Sequence, residues 1–66
     1  MGIAFNNIRT NKTYRLTNYG ESFEFTVMDI MSSDEFRLKD LYTLEIYYMS
    51  ELLRQGKGKD FSIWEI

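Results

Sequence analysis

Apolar and polar residues alternate along much of the chain, which is the two-residue period of half-buried β-strands. Residues 13–18 and residues 22–32 both carry this alternation, and the short sequence NYGE lies between them. Within it, Gly20 can adopt a positive φ angle without steric penalty, so the segment is typical of a tight turn. The pattern predicts a β-hairpin.

The second of these strands cannot keep its alternation to the end. Phe23, Phe25 and Val27 share one face, and the same phase would turn Asp29 inward. A β-bulge or sharp bend beside Asp29 would leave its carboxylate outside and return Ile30 to the core. We therefore predict a long strand that bends in mid-course, as strands do in small barrels.

A third predicted strand, residues 35–39, is followed by a segment with two interpretations. As a fourth strand, after a connecting turn at residues 40–43, it turns Leu44, Ile46 and Tyr48 inward. The opposite face then carries Glu45, Tyr47 and Met49.

A helix from about residue 40 to residue 55 is the alternative. It aligns four apolar residues at helical spacing, namely Leu41, Leu44, Tyr48 and Leu52. However, Glu45 would fall inside this apolar stripe, and the β-branched and aromatic run IYY favours the strand.

The last part of the chain predicts a helical turn and a closing strand. Ser50 can cap a short turn of helix over residues 50–55, and Gly56 can end it in the left-handed conformation common after helices. Residues 61–66 then alternate again, with Phe61 and Ile63 on one face.

Five strands, one helical turn before the last of them and no proline predict an all-β fold, a strongly bent antiparallel barrel. Over residues 13–66 this layout resembles the SH3-like barrels, including the Tudor-type group. An α+β fold with a helix at about 40–55 packed on a small sheet is the alternative. We assign residues 12–66 to one domain, preceded by a segment, residues 1–11, that either pairs with the sheet or moves freely.

A more local resemblance covers residues 39–61, KDLYTLEIYYMSELLRQGKGKDF. This stretch is similar to a class of short bacterial proteins in which a D-x-x-T-x-E hairpin precedes a helical turn and a G-K-G-K-D-F run. The resemblance implies a bacterial source. It implies no activity, because the class has no established role.

The residue types leave little room for catalysis. The chain of 66 residues has no histidine and no cysteine, which removes Ser-His-Asp and Cys-His nucleophiles, thiolate clusters and histidine-containing zinc sites. We therefore expect a non-enzyme without a cofactor or metal. No stretch resembles a signal peptide or a membrane span, so we expect a cytoplasmic protein that does not bind membranes.

The stretch RQGKGK, residues 54–59, raises the possibility of a phosphate site. A P-loop needs two glycines five residues apart before a lysine that opens a helix, whereas these glycines lie two apart before a predicted strand. A turn is the simpler interpretation. Arg54, Lys57 and Lys59, joined by Arg15, could alternatively form a basic rim for weak RNA or single-stranded DNA binding. The net charge of −2 argues against it.

The aromatic residues suggest a different function. They are more numerous than so small a core can easily bury, so several should lie at the surface, where they mark recognition grooves for proteins or peptides. The candidate partner-binding residues are Tyr19, Tyr42, Tyr47 and Trp64. We expect a non-catalytic interaction module that binds a protein or peptide through them. The same surface could instead form the interface of a homodimer.

Overall fold

The computed structural model describes residues 4–66 and consists mainly of β-strands. The elements are a 3-10 turn (Phe5–Asn7), β1 (Thr13–Asn18), β2 (Glu21–Ile30), β3 (Phe36–Asp40), β4 (Ile46–Tyr48), α1 (Met49–Leu52) and β5 (Ser62–Glu65). The strands pair antiparallel in one open sheet with the order β4-β3-β2-β1-β5. The predicted five-stranded antiparallel fold is confirmed. The alternative helix over residues 40–55 is wrong, because α1 covers only four residues of that range.

The predicted hairpin joins β1 to β2 through a two-residue turn. Asn18 pairs with Glu21, and the two residues between them, Tyr19 and Gly20, have φ angles of 51° and 76°. Positive φ at both central positions is the requirement of a type I′ turn, whose twist matches that of the flanking strands. Glycine meets this requirement easily, whereas tyrosine is an uncommon choice there.

The predicted irregularity in β2 is present, but its effect on Ile30 is not the expected one. The register with β3 shifts between Val27 and Asp29, which is the bulge, and Asp29 is exposed. Ile30 is also 48% exposed, so the expectation that it returns to the core is wrong. Met31, the next residue, is 58% exposed, so the end of β2 presents two apolar side chains to solvent.

The fourth strand exists, but with the opposite face inward. Leu44, Ile46 and Tyr48 are exposed, whereas Tyr47 packs against the core and Met49 is fully buried. The cause lies in the preceding turn, where Leu44 has a φ angle of 63°. A shift of one residue exchanges the two faces of a strand, so this left-handed residue decides which side chains are buried.

The helical turn is confirmed, with a different cap. Its N-cap is Tyr48, whose N–H donates to the Glu51 carboxylate at 2.9 Å. Ser50 does not cap the helix as expected, because its hydroxyl donates to Glu35 at 2.7 Å. The chain leaves the turn at Gly56 with a φ angle of 86°, the left-handed conformation that the sequence predicts.

The core lies on the inner face of the sheet. Nine residues form it, namely Ile8, Tyr14, Leu16, Phe25, Val27, Phe36, Leu38, Met49 and Ile63. The segment before β1 contributes Ile8 and packs Phe5 edge-to-face on Phe36, with ring centroids 5.6 Å apart. The first three residues of the predicted N-terminal segment lie outside the described residues. Between residues 4 and 66 no helix is long and apolar enough to cross a membrane.

Candidate functional site

A groove of about 480 Å³ opens beside the β1–β2 turn, and we call it the tyrosine groove. Its aromatic lining residues are Tyr19, Phe23 and Tyr47. Its charged lining residues are Glu21, Asp40, Glu51 and Arg54. The structure therefore brings together two of the four predicted aromatic residues and one of the four predicted basic ones.

One wall of the groove is Tyr19, and both its backbone and its side chain are fixed. The backbone N–H groups of Tyr19 and Gly20 donate to the two carboxylate oxygens of Asp60, each at 2.8 Å. The Tyr19 hydroxyl donates to the carbonyl of Gln55 at 2.8 Å. These bonds tie the tip of the β1–β2 hairpin to the loop that precedes β5, so the ring has a defined position.

Asn18, which is only 3% exposed, also fixes this loop through two hydrogen bonds. Its side-chain oxygen accepts the N–H of Gly58 at 2.7 Å, and its side-chain nitrogen donates to the carbonyl of Gly56 at 2.9 Å. At Gly58 a Cβ atom would lie 3.1 Å from the Tyr19 ring, so any larger residue would have to displace that ring by a few tenths of an ångström. The close approach of the ring gives a structural reason for glycine at this position.

The backbone amides of the GKGK loop confirm the turn interpretation. The N–H of Gly58 donates to Asn18, and the N–H of Gly56 donates to the carbonyl of Leu53 at 2.8 Å. Both donors are thus used inside the protein. Neither glycine amide is therefore available for the converging donors of a phosphate cradle.

The opposite wall joins Tyr47 to the turn between β3 and β4. The Tyr47 hydroxyl donates to one oxygen of Asp40 at 3.2 Å, and the other oxygen accepts the N–H groups of Tyr42 and Thr43 at 2.8 and 2.9 Å. The hydrogen bonds from the Thr43 and Tyr42 amides lower the pKa of Asp40 below its usual range. Burial, reinforced by the charge of Asp40, raises the pKa of the Tyr47 hydroxyl. At neutral pH the pair is therefore a carboxylate and a neutral phenol.

The electrostatic character of the groove follows from its charged residues. Asp40, Glu21 and Glu51 contribute three carboxylates, and Arg54 contributes one guanidinium. The groove therefore carries an excess of negative charge beside its aromatic walls.

Tyr42 and Trp64 lie elsewhere, on what we call the outer sheet face, which comprises Arg15, Glu24, Tyr42 and Trp64. Arg15 pairs with Glu24 at 2.7 Å, and its backbone lies opposite Trp64 in the register of β1 with β5. The Tyr42 hydroxyl donates to the same Glu24 carboxylate. Hydrogen bonds from Tyr42 and then Arg15 lower the pKa of Glu24. Tyr42 and Trp64 are 77% and 42% exposed, and neither lines the tyrosine groove.

The predicted basic residues occupy separate places. Arg54 lies in the tyrosine groove, and Arg15 is paired on the outer sheet face. The Lys57 ammonium stands 4.5 Å from the ring centroid of Phe5, in a second cleft of about 300 Å³. Lys59 is exposed in the turn before β5. They do not line one cleft together.

Several residues that build the groove were not among the predicted site residues. The acidic Asp40, Glu21 and Glu51 and the anchoring pair Asn18 and Asp60 belong to this group. The sequence does contain a local signal for Asp40. An aspartate side chain commonly accepts a hydrogen bond from the backbone N–H two residues later, and this bond forms a turn. The groups of three or more carboxylates that would hold a metal ion are absent from residues 4–66.

Comparisons of the chain with protein-family models, with curated proteins and with solved structures find no match.

Proposed function

We propose that this protein is a non-catalytic interaction module that binds an extended segment of a partner protein in the tyrosine groove. The observation that carries the proposal is the convergence of Tyr19 and Tyr47 on one concave site with Phe23 and Leu52. Concave sites lined by aromatic side chains and a few polar groups are the usual form of peptide and ligand sites.

The order of the groove supports this function. The hydroxyls of Tyr19 and Tyr47 are both hydrogen-bonded within the protein, so the two rings are held before any ligand arrives. Binding then has a smaller entropic cost, because few side chains have to be immobilised. Tyrosine also offers a large apolar surface with only two side-chain torsions.

The alternative, weak nucleic-acid binding, has less support. Its four basic residues are dispersed, and the groove that holds Arg54 also holds three carboxylates. Phosphate groups would be repelled by that groove, since like charges raise the free energy of a contact.

The test begins with selection of peptides from a displayed random library on the wild-type protein. Amide shifts of the labelled protein should then fall on residues 19–23 and 47–55 when a selected peptide is added. The Tyr19→Asn variant removes the ring but keeps a residue that tolerates the left-handed turn. We expect it to weaken binding by about tenfold.

Tyr42→Asn is the matched control, because Tyr42 is an exposed tyrosine outside the groove. It should leave the affinity unchanged. A selected peptide whose shifts fall on the outer sheet face would refute the proposal. So would shifts at Arg54 to Lys59 caused by a mixed-sequence single-stranded RNA that disappear with added salt, since they would favour the nucleic-acid alternative.

We further propose that the bent sheet belongs to the SH3-like barrels. The strand order, the bulge in β2 and the helical turn between β4 and β5 support this proposal. Closure of the barrel would bring the two terminal strands of the sheet close together. Magnetisation transfer between protons of β4 and β5 in a solution NMR spectrum would demonstrate it, and its absence would leave the sheet open.

A further inference from the structure

The tyrosine hydroxyls of the groove have no proton left for a ligand. Each hydroxyl has a single O–H donor and can also accept. Tyr19 donates its proton to the Gln55 carbonyl at 2.8 Å, and Tyr47 donates its proton to Asp40 at 3.2 Å. Both phenolic oxygens therefore remain available to a ligand as acceptors only.

The acidic residues add to this one-sided character. An ionised carboxylate accepts hydrogen bonds and cannot donate them, and the backbone amides of Thr43 and Tyr42 keep Asp40 ionised. Glu21 and Glu51 add two further carboxylates to the lining. Asn18 is buried, and its side-chain nitrogen donates one N–H to the carbonyl of Gly56 at 2.9 Å.

Two side chains of the lining do offer donors, the neutral amide of Gln55 and the guanidinium of Arg54, and of these only Arg54 is charged. Three carboxylates against this single cation leave a formal charge of −2 on the lining. A ligand that complements the groove must therefore bring hydrogen-bond donors and positive charge together, and it must present an apolar or planar surface to the aromatic rings.

We propose that the partner segment inserts an arginine side chain into the tyrosine groove; this inference rests on the proposed function. A guanidinium carries five N–H donors in its plane, keeps its charge at every physiological pH and stacks on aromatic faces. Its faces match the rings of the tyrosine groove, and its edge matches the carboxylate and phenolic oxygens.

The proposal separates arginine from two groups that share one property with it. Citrulline has nearly the same shape and also has N–H donors, but it is neutral. Trimethyllysine is cationic and binds aromatic rings through cation–π attraction, but its ammonium has no N–H donor. If donors and charge are both required, each of these side chains should bind more weakly than arginine.

The experiment uses the full chain, isotope-labelled, and three probes: N-acetyl-arginine amide, N-acetyl-citrulline amide and N-acetyl-trimethyllysine amide. We expect the arginine probe to shift the amides of residues 19–23 and 47–55 with an affinity about tenfold above that of the other two. Equal binding of the citrulline probe would refute the requirement for charge. Equal or tighter binding of the trimethyllysine probe would refute the requirement for donors.

A pair of variants checks the role of the carboxylates. Glu21→Gln removes a charge from the groove at an exposed position, and Glu65→Gln removes the same charge outside it. We expect the first variant to weaken arginine binding about threefold and the second to leave it unchanged, with the difference shrinking as salt is added. Identical effects of the two variants would contradict a direct role for the groove carboxylates.

This inference and the proposed function fail in different ways. If none of the three probes shifts the groove, the arginine proposal is wrong, even where a selected peptide still shifts residues 19–23 and 47–55. If library peptides bind outside the groove, the proposed function is wrong, and so is the insertion of a partner's arginine, even where the arginine probe still shifts residues 19–23 and 47–55.

Discussion

The tyrosine groove and the outer sheet face use the same residue types in different surroundings. Both contain a tyrosine whose hydroxyl donates to a carboxylate, Tyr47 to Asp40 in the groove and Tyr42 to Glu24 on the face. Tyr47 is half-buried between two elements, whereas Tyr42 is 77% exposed to water. A hydrogen bond in a partly dry site contributes more than one that competes with water. Burial, not residue type, therefore distinguishes the two tyrosine–carboxylate pairs.

The largest expected difference in stability is between substitution of Asn18, which is buried, and substitution of its neighbour Thr17, which lies on the opposite face of β1. Asn18→Ala should lower the free energy of unfolding by about 2 kcal/mol, because the part-buried hydrogen bonds to the N–H of Gly58 and the carbonyl of Gly56 are lost. Chemical denaturation of wild type and variant measures the change.

Thr17→Ala is the control, since its hydroxyl only meets that of Ser22 at 3.2 Å in an exposed contact. It should change the free energy of unfolding by less than about 0.5 kcal/mol. Similar effects of the two substitutions would show that the loop is not held by Asn18.

The next largest difference in stability is expected between the two tyrosine–carboxylate pairs. Tyr47→Phe should lower the free energy of unfolding by about 1 kcal/mol, since it removes one half-buried hydrogen bond to a charged acceptor. Tyr42→Phe removes the analogous bond of a solvent-exposed hydroxyl and should leave the free energy of unfolding nearly unchanged. Thermal unfolding of both variants tests this order, and a larger loss from Tyr42→Phe would reverse the comparison.

Acid should lower the stability of the fold in part by protonating Asp40. The pKa of Asp40 is lowered in the folded state, so its ionised form stabilises the fold above the unfolded pKa of about 4. That contribution is lost as the pH falls through the lower, folded pKa. We expect Asp40→Asn to reduce the slope of stability against pH below about pH 4.

Unfolding midpoints measured between about pH 2 and pH 6 would reveal this change in slope. Glu24→Gln serves as the comparison on the outer sheet face, because the pKa of Glu24 is lowered as well. An unchanged slope in Asp40→Asn would mean that the turn carboxylate does not couple to folding. Glu35 and Asp60 also have lowered pKa values, so neither variant should abolish acid sensitivity.

The smallest expected effect is that of the ion pair between Arg15 and Glu24. The Arg15 and Glu24 side chains lie 2.7 Å apart and are 50% and 17% exposed. A double-mutant cycle with Arg15→Ala and Glu24→Ala should give a small coupling free energy that falls as salt is added. A coupling above about 1 kcal/mol would show that the outer sheet face is more ordered than its exposure suggests.

Much of the fold could be predicted from local signals in the sequence. Alternation located β1, β2 and β3, and the inward phase of Asp29 revealed the bulge, because each signal depends on neighbours along the chain. The face of β4 could not be predicted, since it depends on the left-handed conformation of Leu44, which nothing in the apolar pattern records.

The candidate site was predictable only in part. The number of aromatic residues, larger than the core can bury, predicts that Tyr19 and Tyr47 lie at the surface. The same criterion selects Tyr42 and Trp64, which lie outside the groove. What separates them is the pairing of the hairpin tip with the loop before β5. Such long-range contacts leave no periodic signal in the sequence, so composition alone could not assign the four aromatics to two surfaces.

The bonds that fix the Tyr19 wall also bear on how the chain folds. They join residues that are 36 to 41 positions apart in the sequence, whereas the hairpin that carries Tyr19 closes over neighbouring residues. Contacts of such separation require a long loop to close, which delays their formation relative to local turns. A growing polypeptide would therefore complete its first hairpin well before the tyrosine groove could form, and the Tyr19 wall would be fixed only after Asp60 had been synthesised and docked.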